Sequence, residues 1–177
     1  MRAWPSPHLP VVPGDPVALR LHDVARDEVA PVEAADPARV YVCGVTPYDT
    51  THMGHAATYV TFDLVNRALR DGGRAVTYVQ NVTDVDDPLF ERAARDGVDW
   101  RELGQEQIAL FLEDMTALGV IPPEHFMGVM ESMPEIIASV QALVKRGVTY
   151  EVEEDGVRDT YLDLTAAGGL GELSQLD

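Results

Sequence analysis

Cysteine is nearly missing: Cys43 is the only one in 177 residues. An internal disulfide is thereby excluded, and a lone thiol suits a reducing cytoplasm, the expected location. Basic residues are scarce too, 13 against 30 acidic ones, for a formal charge of −17. A surface that acidic repels a phosphate backbone, so composition argues against a nucleic-acid partner. No apolar run approaches the roughly 18 residues of a membrane-spanning helix, and Met1-Arg2-Ala3-Trp4-Pro5 leads into prolines instead of a signal-peptide core. No membrane role is expected. What is present describes a globular chain: 46% hydrophobic residues with strand and helix periodicities throughout, enough for one real core.

Pro5, Pro10, Pro13 and Pro16 predict an extended arm over residues 1–16. Residues 17–21 and 28–32 read as a short hairpin leaning on the main sheet, with His8 and His22 as surface or packing residues. The centre of the chain follows. Arg39-Val40-Tyr41-Val42 reads as a buried strand, and a helical pattern runs from Gly54 to Arg70 through Tyr59, Phe62, Val65 and Leu69, stopping at Gly72-Gly73. Ala75-Val76-Thr77-Tyr78-Val79 is a second buried strand. Strand, helix, strand predicts a right-handed crossover with parallel strands. Cys43–Thr46 and Asn81–Thr83 then fall at the carboxyl ends of those strands, the edge where open α/β sheets bind ligands.

Further helices have readable starts. Asp87-Pro88 gives an N-cap followed by proline, Asp99 with Glu102 a capping box, and Ser132 with Glu135 another, for a helix ending at Lys145-Arg146-Gly147. Asp84, Asp86 and Asp87 admit either a hard-cation reading or this capping role. His125 reads as an incidental loop residue after Pro122-Pro123. Two short strands, 148–152 and 158–162, flank an Asp155-Gly156 turn and predict a hairpin.

The chemistry-bearing stretch is Cys43 to His55. A helix N-terminus presents free N–H groups and the positive end of the macrodipole, so phosphate can dock there. His52 and His55 flank Gly54, which lets a ligand approach the backbone, and two imidazoles there could stabilise charge as a P–O bond breaks. Spacing alone favours a solvated or capping role for each histidine, and a packed small hydrophobe for Cys43.

Cys43-Gly44 followed by Thr46-x-Tyr48-Asp49 and His52-x-Gly54-His55 resembles the first motif region of the class I cysteinyl-tRNA synthetase superfamily. The run from Cys43 to Tyr59, and a second block from Tyr78 to Ala93, resemble more closely its mycothiol-pathway cysteine ligase branch. The segment from Trp4 to Asp23 is similar to that branch as well. The resemblance implies an α/β, Rossmann-like nucleotide-binding catalytic domain of class I aminoacyl-tRNA synthetase type, a parallel sheet flanked by helices. On this reading residues 1–37 are an arm and hairpin, 38–146 the first half of the catalytic domain, and 147–177 the start of an inserted segment, to which Gly168 to Ser174 is similar.

The implied reaction joins L-cysteine to the amine of glucosaminyl-inositol, using ATP with Mg2+, through cysteinyl-adenylate. Carried over by position, His52 and His55 stabilise phosphate charge and Gly54 faces the nucleotide. Cys43 ligates zinc, Gly44, Val45 and Thr46 contact the cysteinyl group, and Thr58, Asn81, Val82 and Thr83 contact the adenylate. Thr58 and Thr83 have structural alternatives, a bond to a helix carbonyl and a turn. The family's Lys-Met-Ser-Lys-Ser loop and further zinc ligands are not found, so the chain is expected to be an inactive N-terminal portion, a monomer, holding zinc weakly or not at all. Ala57 and Pro88 stand where the tRNA-charging branch carries basic residues, which ranks the ligase first and the tRNA synthetase second. A non-catalytic nucleotide-binding module is the third alternative.

Overall fold

The computed structural model describes residues 1–11 and 13–167, which fall into two units. In chain order the elements are β1 (Arg20–Asp23), β2 (Glu28–Pro31), β3 (Ala38–Val45), α1 (Met53–Asp71), β4 (Val76–Val82), α2 (Asp87–Asp96), α3 (Trp100–Ala117), β5 (His125–Gly128), α4 (Val129–Lys145), β6 (Thr149–Glu154), β7 (Val157–Leu162) and α5 (Leu164–Ala167). Met1–Leu19 and Pro31–Glu131 make one unit; Arg20–Ala30 and the chain from Ser132 make the other. No helix among the described residues is long and apolar enough to cross a membrane.

The first unit is built on a three-stranded sheet in the order β3-β4-β5, parallel throughout. Parallel neighbours cannot be joined by a tight turn. Accordingly α1 links β3 to β4, and α2 with α3 links β4 to β5. This is the expected α/β arrangement. In β4 the residues Val76, Tyr78, Gln80 and Val82 are buried while those between them are half-exposed, a period of two that marks one strongly covered face. That face belongs to the main core: Val42, Val45, Tyr78, Val82 and Phe126 from the sheet meet Tyr59 of α1 and Phe111 and Met115 of α3.

Trp4 completes this core. Its ring meets Phe111 and Phe126 edge to face, at centroid distances of 5.7 and 5.9 Å, and its indole N–H donates to the Val120 carbonyl at 2.7 Å. The arm lacks regular structure, as its prolines predict, but one buried aromatic fixes it. Trp4→Phe keeps an aromatic ring and leaves the Val120 carbonyl without its donor. The expected cost is roughly 1–2 kcal/mol, read from urea unfolding as a lower midpoint with unchanged slope.

Three sequence expectations are corrected by the structure. His125 is not in a loop: it opens β5, pairing with Val79 in the parallel register that continues to Gly128 opposite Val82. Four residues are too few to show a period. The N-cap of α2 is Asp86, whose carboxylate accepts from the Asp87 N–H at 3.0 Å, so Pro88 lies at the second helical position. Lastly, α4 begins at Val129, so Ser132 lies inside the helix, and Pro134 is accommodated within it. The distant Asp84 carboxylate accepts from the Met130 N–H at 3.0 Å and so serves the first turn of α4.

In the second unit β1 and β2 form a two-stranded ladder of their own, β1 lying a few residues later than its sequence pattern. Between β6 and β7 the antiparallel register runs from Thr149 opposite Leu162 to Glu154 opposite Val157. Asp155 and Gly156 turn with φ of 51° and 78°, the left-handed pair that a two-residue hairpin requires. The segment Gly168 to Ser174, likened above to an inserted element, lies outside the described residues.

Candidate functional site

Strand parity places Cys43. Val42 points into the core and Cys43 is exposed on the opposite side, which rules out the packed-hydrophobe reading. Beyond Val42 the register slips: Val42 faces Gln80, but Val45 faces Val82. One extra residue on β3 is a bulge, and it returns Val45 to the core face three positions after Val42. Gly44 sits in this bulge so close to β4 that a Cβ there would lie 1.5 Å from the Asn81 carbonyl oxygen. Side chains replace the missing ladder. The Gly44 N–H and the Tyr41 hydroxyl each donate to the Asn81 carboxamide oxygen at 2.9 Å, and the Tyr59 hydroxyl reaches the Cys43 carbonyl at 3.3 Å. The Asn81 amide nitrogen donates to Thr83 Oγ1 at 3.4 Å, and the Thr83 N–H donates to the Val45 carbonyl at 3.0 Å.

The strand ends are thus stitched together, and the strips 43–46 and 81–83 adjoin. Val82 is fully buried in the core. Thr46 donates its hydroxyl to Asp86 at 3.2 Å, tying the end of β3 to the start of α2. Asp84 and Asp86 are therefore engaged with protein N–H and O–H groups, which favours capping over a cation role. Among the described residues no three His, Cys, Asp or Glu side chains gather as a metal site.

The N-cap of α1 is His52, in extended backbone conformation. Its Nδ1 accepts from the Gly54 N–H at 3.0 Å, while Nδ1 of His55 accepts from the His52 N–H at 3.3 Å. Capping and site readings thus coincide in the same two rings. A nitrogen that accepts carries no proton, so each neutral ring must hold its proton on Nε2. The rings stack with centroids 4.0 Å apart and planes at 24°. Gly54 makes room for this: a Cβ there would stand 2.8 Å from the His52 ring. The first turn of α1 contains no acidic residue to compensate its positive end. Thr58 bonds the Gly54 carbonyl at 3.0 Å, its structural alternative, though its hydroxyl remains on the exposed side.

Burial first, and the neighbouring His52 second, lower the pKa of His55 below its ordinary value. The folded state therefore favours neutral His55 more than the unfolded chain does. The contribution is complete above about pH 6.5, the unfolded value, and is lost as pH falls through the lower folded value. We expect the unfolding midpoint to drop between pH 7.5 and 5.5, and to drop less in His55→Gln, which can still accept the His52 N–H without titrating.

The loop before α1 is held from two sides. The Thr51 hydroxyl donates to Asp114 on α3, and Asp49 pairs with Arg92 on α2 at 3.2 Å. Sequence reasoning missed the tyrosine hydroxyls. Tyr59 is legible as a core position of α1, but a buried phenol also needs a polar partner, and that requirement was the available signal.

Residues 29–177 match the family described as the class I (C) tRNA synthetase catalytic domain. The L-cysteine:1D-myo-inositol 2-amino-2-deoxy-alpha-D-glucopyranoside ligase of Corynebacterium diphtheriae is 57% identical over 97% of this chain and 42% of its own length. The ligase of the same name from Geodermatophilus obscurus is 57% identical over 100% of the chain and 42% of its own length. The chain thus spans less than half the length of these relatives. In fold it resembles Mycobacterium tuberculosis methionyl-tRNA synthetase, with a TM-score of 0.54 and 20% identity over 69% of this chain and 28% of that one. It also resembles a LeuRS from Agrobacterium radiobacter, with a TM-score of 0.52 and 18% identity over 64% of this chain and 15% of that one. The three-stranded parallel sheet, its helical crossovers and the family match over residues 29–177 agree: the chain belongs to the class I (C) tRNA synthetase catalytic domain family.

Proposed function

We propose that the protein carrying this chain activates L-cysteine with ATP and transfers the cysteinyl group to the amine of glucosaminyl-inositol, an amide-forming step of mycothiol biosynthesis. The observation that carries this reading is the pair of imidazoles on the N-terminus of α1, each accepting a backbone N–H at Nδ1 and so left with Nε2 as the donor edge, with the two strand ends joined through Asn81 and Thr83. The names of relatives 57% identical to this chain supply the substrates. In the first step a carboxylate oxygen of cysteine attacks the α-phosphorus of ATP, the bond to pyrophosphate breaks, and cysteinyl-adenylate forms. The amine then attacks the activated carbonyl and AMP leaves. His52 and His55 donate from Nε2 to phosphate oxygens as negative charge builds, and the uncompensated helix terminus adds to that field. Gly44, Val45 and Thr46 line the cysteinyl side and Thr58, Asn81, Val82 and Thr83 the adenylate side, Val45 and Val82 through backbone alone because their side chains lie in the core; Gly54 faces the nucleotide. Mg2+ enters with ATP.

The described residues do not make a zinc centre by themselves. Exposed Cys43 fits as one thiolate ligand of a centre completed by residues outside them. Residues 38–146 then constitute the first half of the catalytic domain, preceded by an arm and hairpin, with 147–177 beginning an insertion. A cytoplasmic monomer is the accompanying reading. The family description favours one second reading, tRNA charging, against which the net charge of −17 stands. The test is ATP–pyrophosphate exchange by the purified full-length protein that carries this chain, since the chain alone is expected to be inactive, followed by AMP release with either acceptor. Cysteine-dependent exchange with AMP release on adding glucosaminyl-inositol is expected. Release only on adding tRNA would transfer the assignment to the second reading, and absence of exchange would remove both.

A further inference from the structure

The peptide unit between Cys43 and Gly44 is held by side chains at both of its polar ends. Its N–H donates to the Asn81 carboxamide oxygen at 2.9 Å from β4, and its carbonyl accepts from the Tyr59 hydroxyl at 3.3 Å from α1. This is where the ladder between β3 and β4 is interrupted, so no regular strand pairing fixes that plane. The Gly44 N–H can only donate, which settles that the Asn81 oxygen faces it. The same oxygen accepts a second bond, from Tyr41 at 2.9 Å, and the Asn81 nitrogen is directed to Thr83 at 3.4 Å. Asn81 is thus committed to the protein at both ends of its amide. Tyr59 is almost fully buried and edge-on to Phe111 at 5.0 Å, so its hydroxyl is delivered by a rigid ring.

We propose that Asn81, braced by Tyr41, and Tyr59 are positioning residues that clamp the Cys43–Gly44 peptide and so set the direction of the Cys43 side chain for cysteine recognition. Asn81 then acts through the backbone it holds. This rests on the reading of Gly44, Val45 and Thr46 as the cysteinyl-contacting strip with Cys43 as a thiolate ligand beside it. Two measurements separate the clamp from that reading. Gly44 amide exchange, measured by NMR, reports the clamp directly. Kinetics of cysteine-dependent ATP–pyrophosphate exchange report its use, through the KM for cysteine against the KM for ATP.

Asn81→Ala is expected to speed Gly44 exchange and to raise the cysteine KM about tenfold, the size of one lost hydrogen bond; because residues 81–83 are also read as lining the adenylate, the ATP KM is compared in Tyr41→Phe, where it is expected to stay unchanged. Asn81→Asp keeps the acceptor and is expected to restore both readouts, which a direct amide contact to ligand through nitrogen would not allow. Tyr41, 64% exposed, tolerates Tyr41→Phe without loss of core packing, and this variant is expected to move both readouts in the same direction by less. Tyr59→Phe retains the ring and tests the carbonyl side alike. Unchanged Gly44 exchange in Asn81→Ala and Tyr41→Phe overturns the clamp. Faster exchange with an unchanged cysteine KM overturns its positioning role. If the unmodified protein shows no cysteine-dependent exchange at all, the ligase reading falls, and the Gly44 data still decide whether the clamp exists.

Discussion

Gly44→Ala is expected to unfold the β3–β4 junction, not merely to perturb it. The added methyl would lie 1.5 Å from the Asn81 carbonyl oxygen and 2.4 Å from its carbon, distances that no rotamer change relieves because both atoms are backbone. The strands must separate, and the bonds from Gly44 to Asn81 and from Thr83 to Val45 lie in the path of that movement. Overpacking that side chains can absorb costs roughly 1–3 kcal/mol. Here the loss should reach the top of that range or pass it, a midpoint drop on the order of 6–12 °C for a chain of this size. A thermal midpoint within about two degrees of the unmodified protein would show that the bulge opens freely, and the account of Gly44 would fail.

The junction is legible in outline in the amino-acid sequence. Apolar runs bounded by a helical period and Gly72-Gly73 gave β3, α1 and β4 in order, and parallel pairing followed from the helix between the strands. Both strands nevertheless run further than their apolar stretches, to Val45 and Val82, because partners continue past the point where composition turns polar. β5 was missed because four residues cannot show alternation, and its pairing partner lies more than forty residues earlier in β4. The start of α4 was misplaced for a related reason. Ser132 and Glu135 form a plausible local signal, whereas the carboxylate that serves the first turn belongs to Asp84, 46 residues away. Local rules see local caps. The exposure of Cys43 follows from strand parity once Val42 is placed inside, but the bulge that keeps Val45 inside as well depends on the contact at Asn81 and has no signature in the one-dimensional pattern. The zinc assignment marks the limit of that reading, since a single exposed thiol among the described residues does not make a centre.

The second large effect concerns His52, where the helix cap and the proposed phosphate role would use opposite edges of one ring. Nδ1 caps α1, which leaves Nε2–H as the proposed donor to phosphate. Substitutions can remove the two functions separately. His52→Asp supplies a carboxylate oxygen for the Gly54 N–H, and aspartate is among the best N-caps, so stability should be kept or raised by a few tenths of a kcal/mol. It carries no Nε2 donor and places negative charge where phosphate must sit. Cysteine-dependent pyrophosphate exchange should fall at least about 10²–10³-fold, the loss typical of deleting one donor to a developing oxyanion. His52→Ala loses both functions, with a stability cost of about 1 kcal/mol for the cap and a comparable fall in exchange. The contrast between the variants is the test. If His52→Asp exchanges pyrophosphate within about tenfold of the unmodified protein, His52 is a helix cap and nothing more, and the phosphate role must rest on His55 alone. If it is inactive yet at least as stable, the reciprocal capping of the two histidines is the device that orients them: each backbone N–H given to an Nδ1 fixes a proton on the Nε2 that the reaction uses.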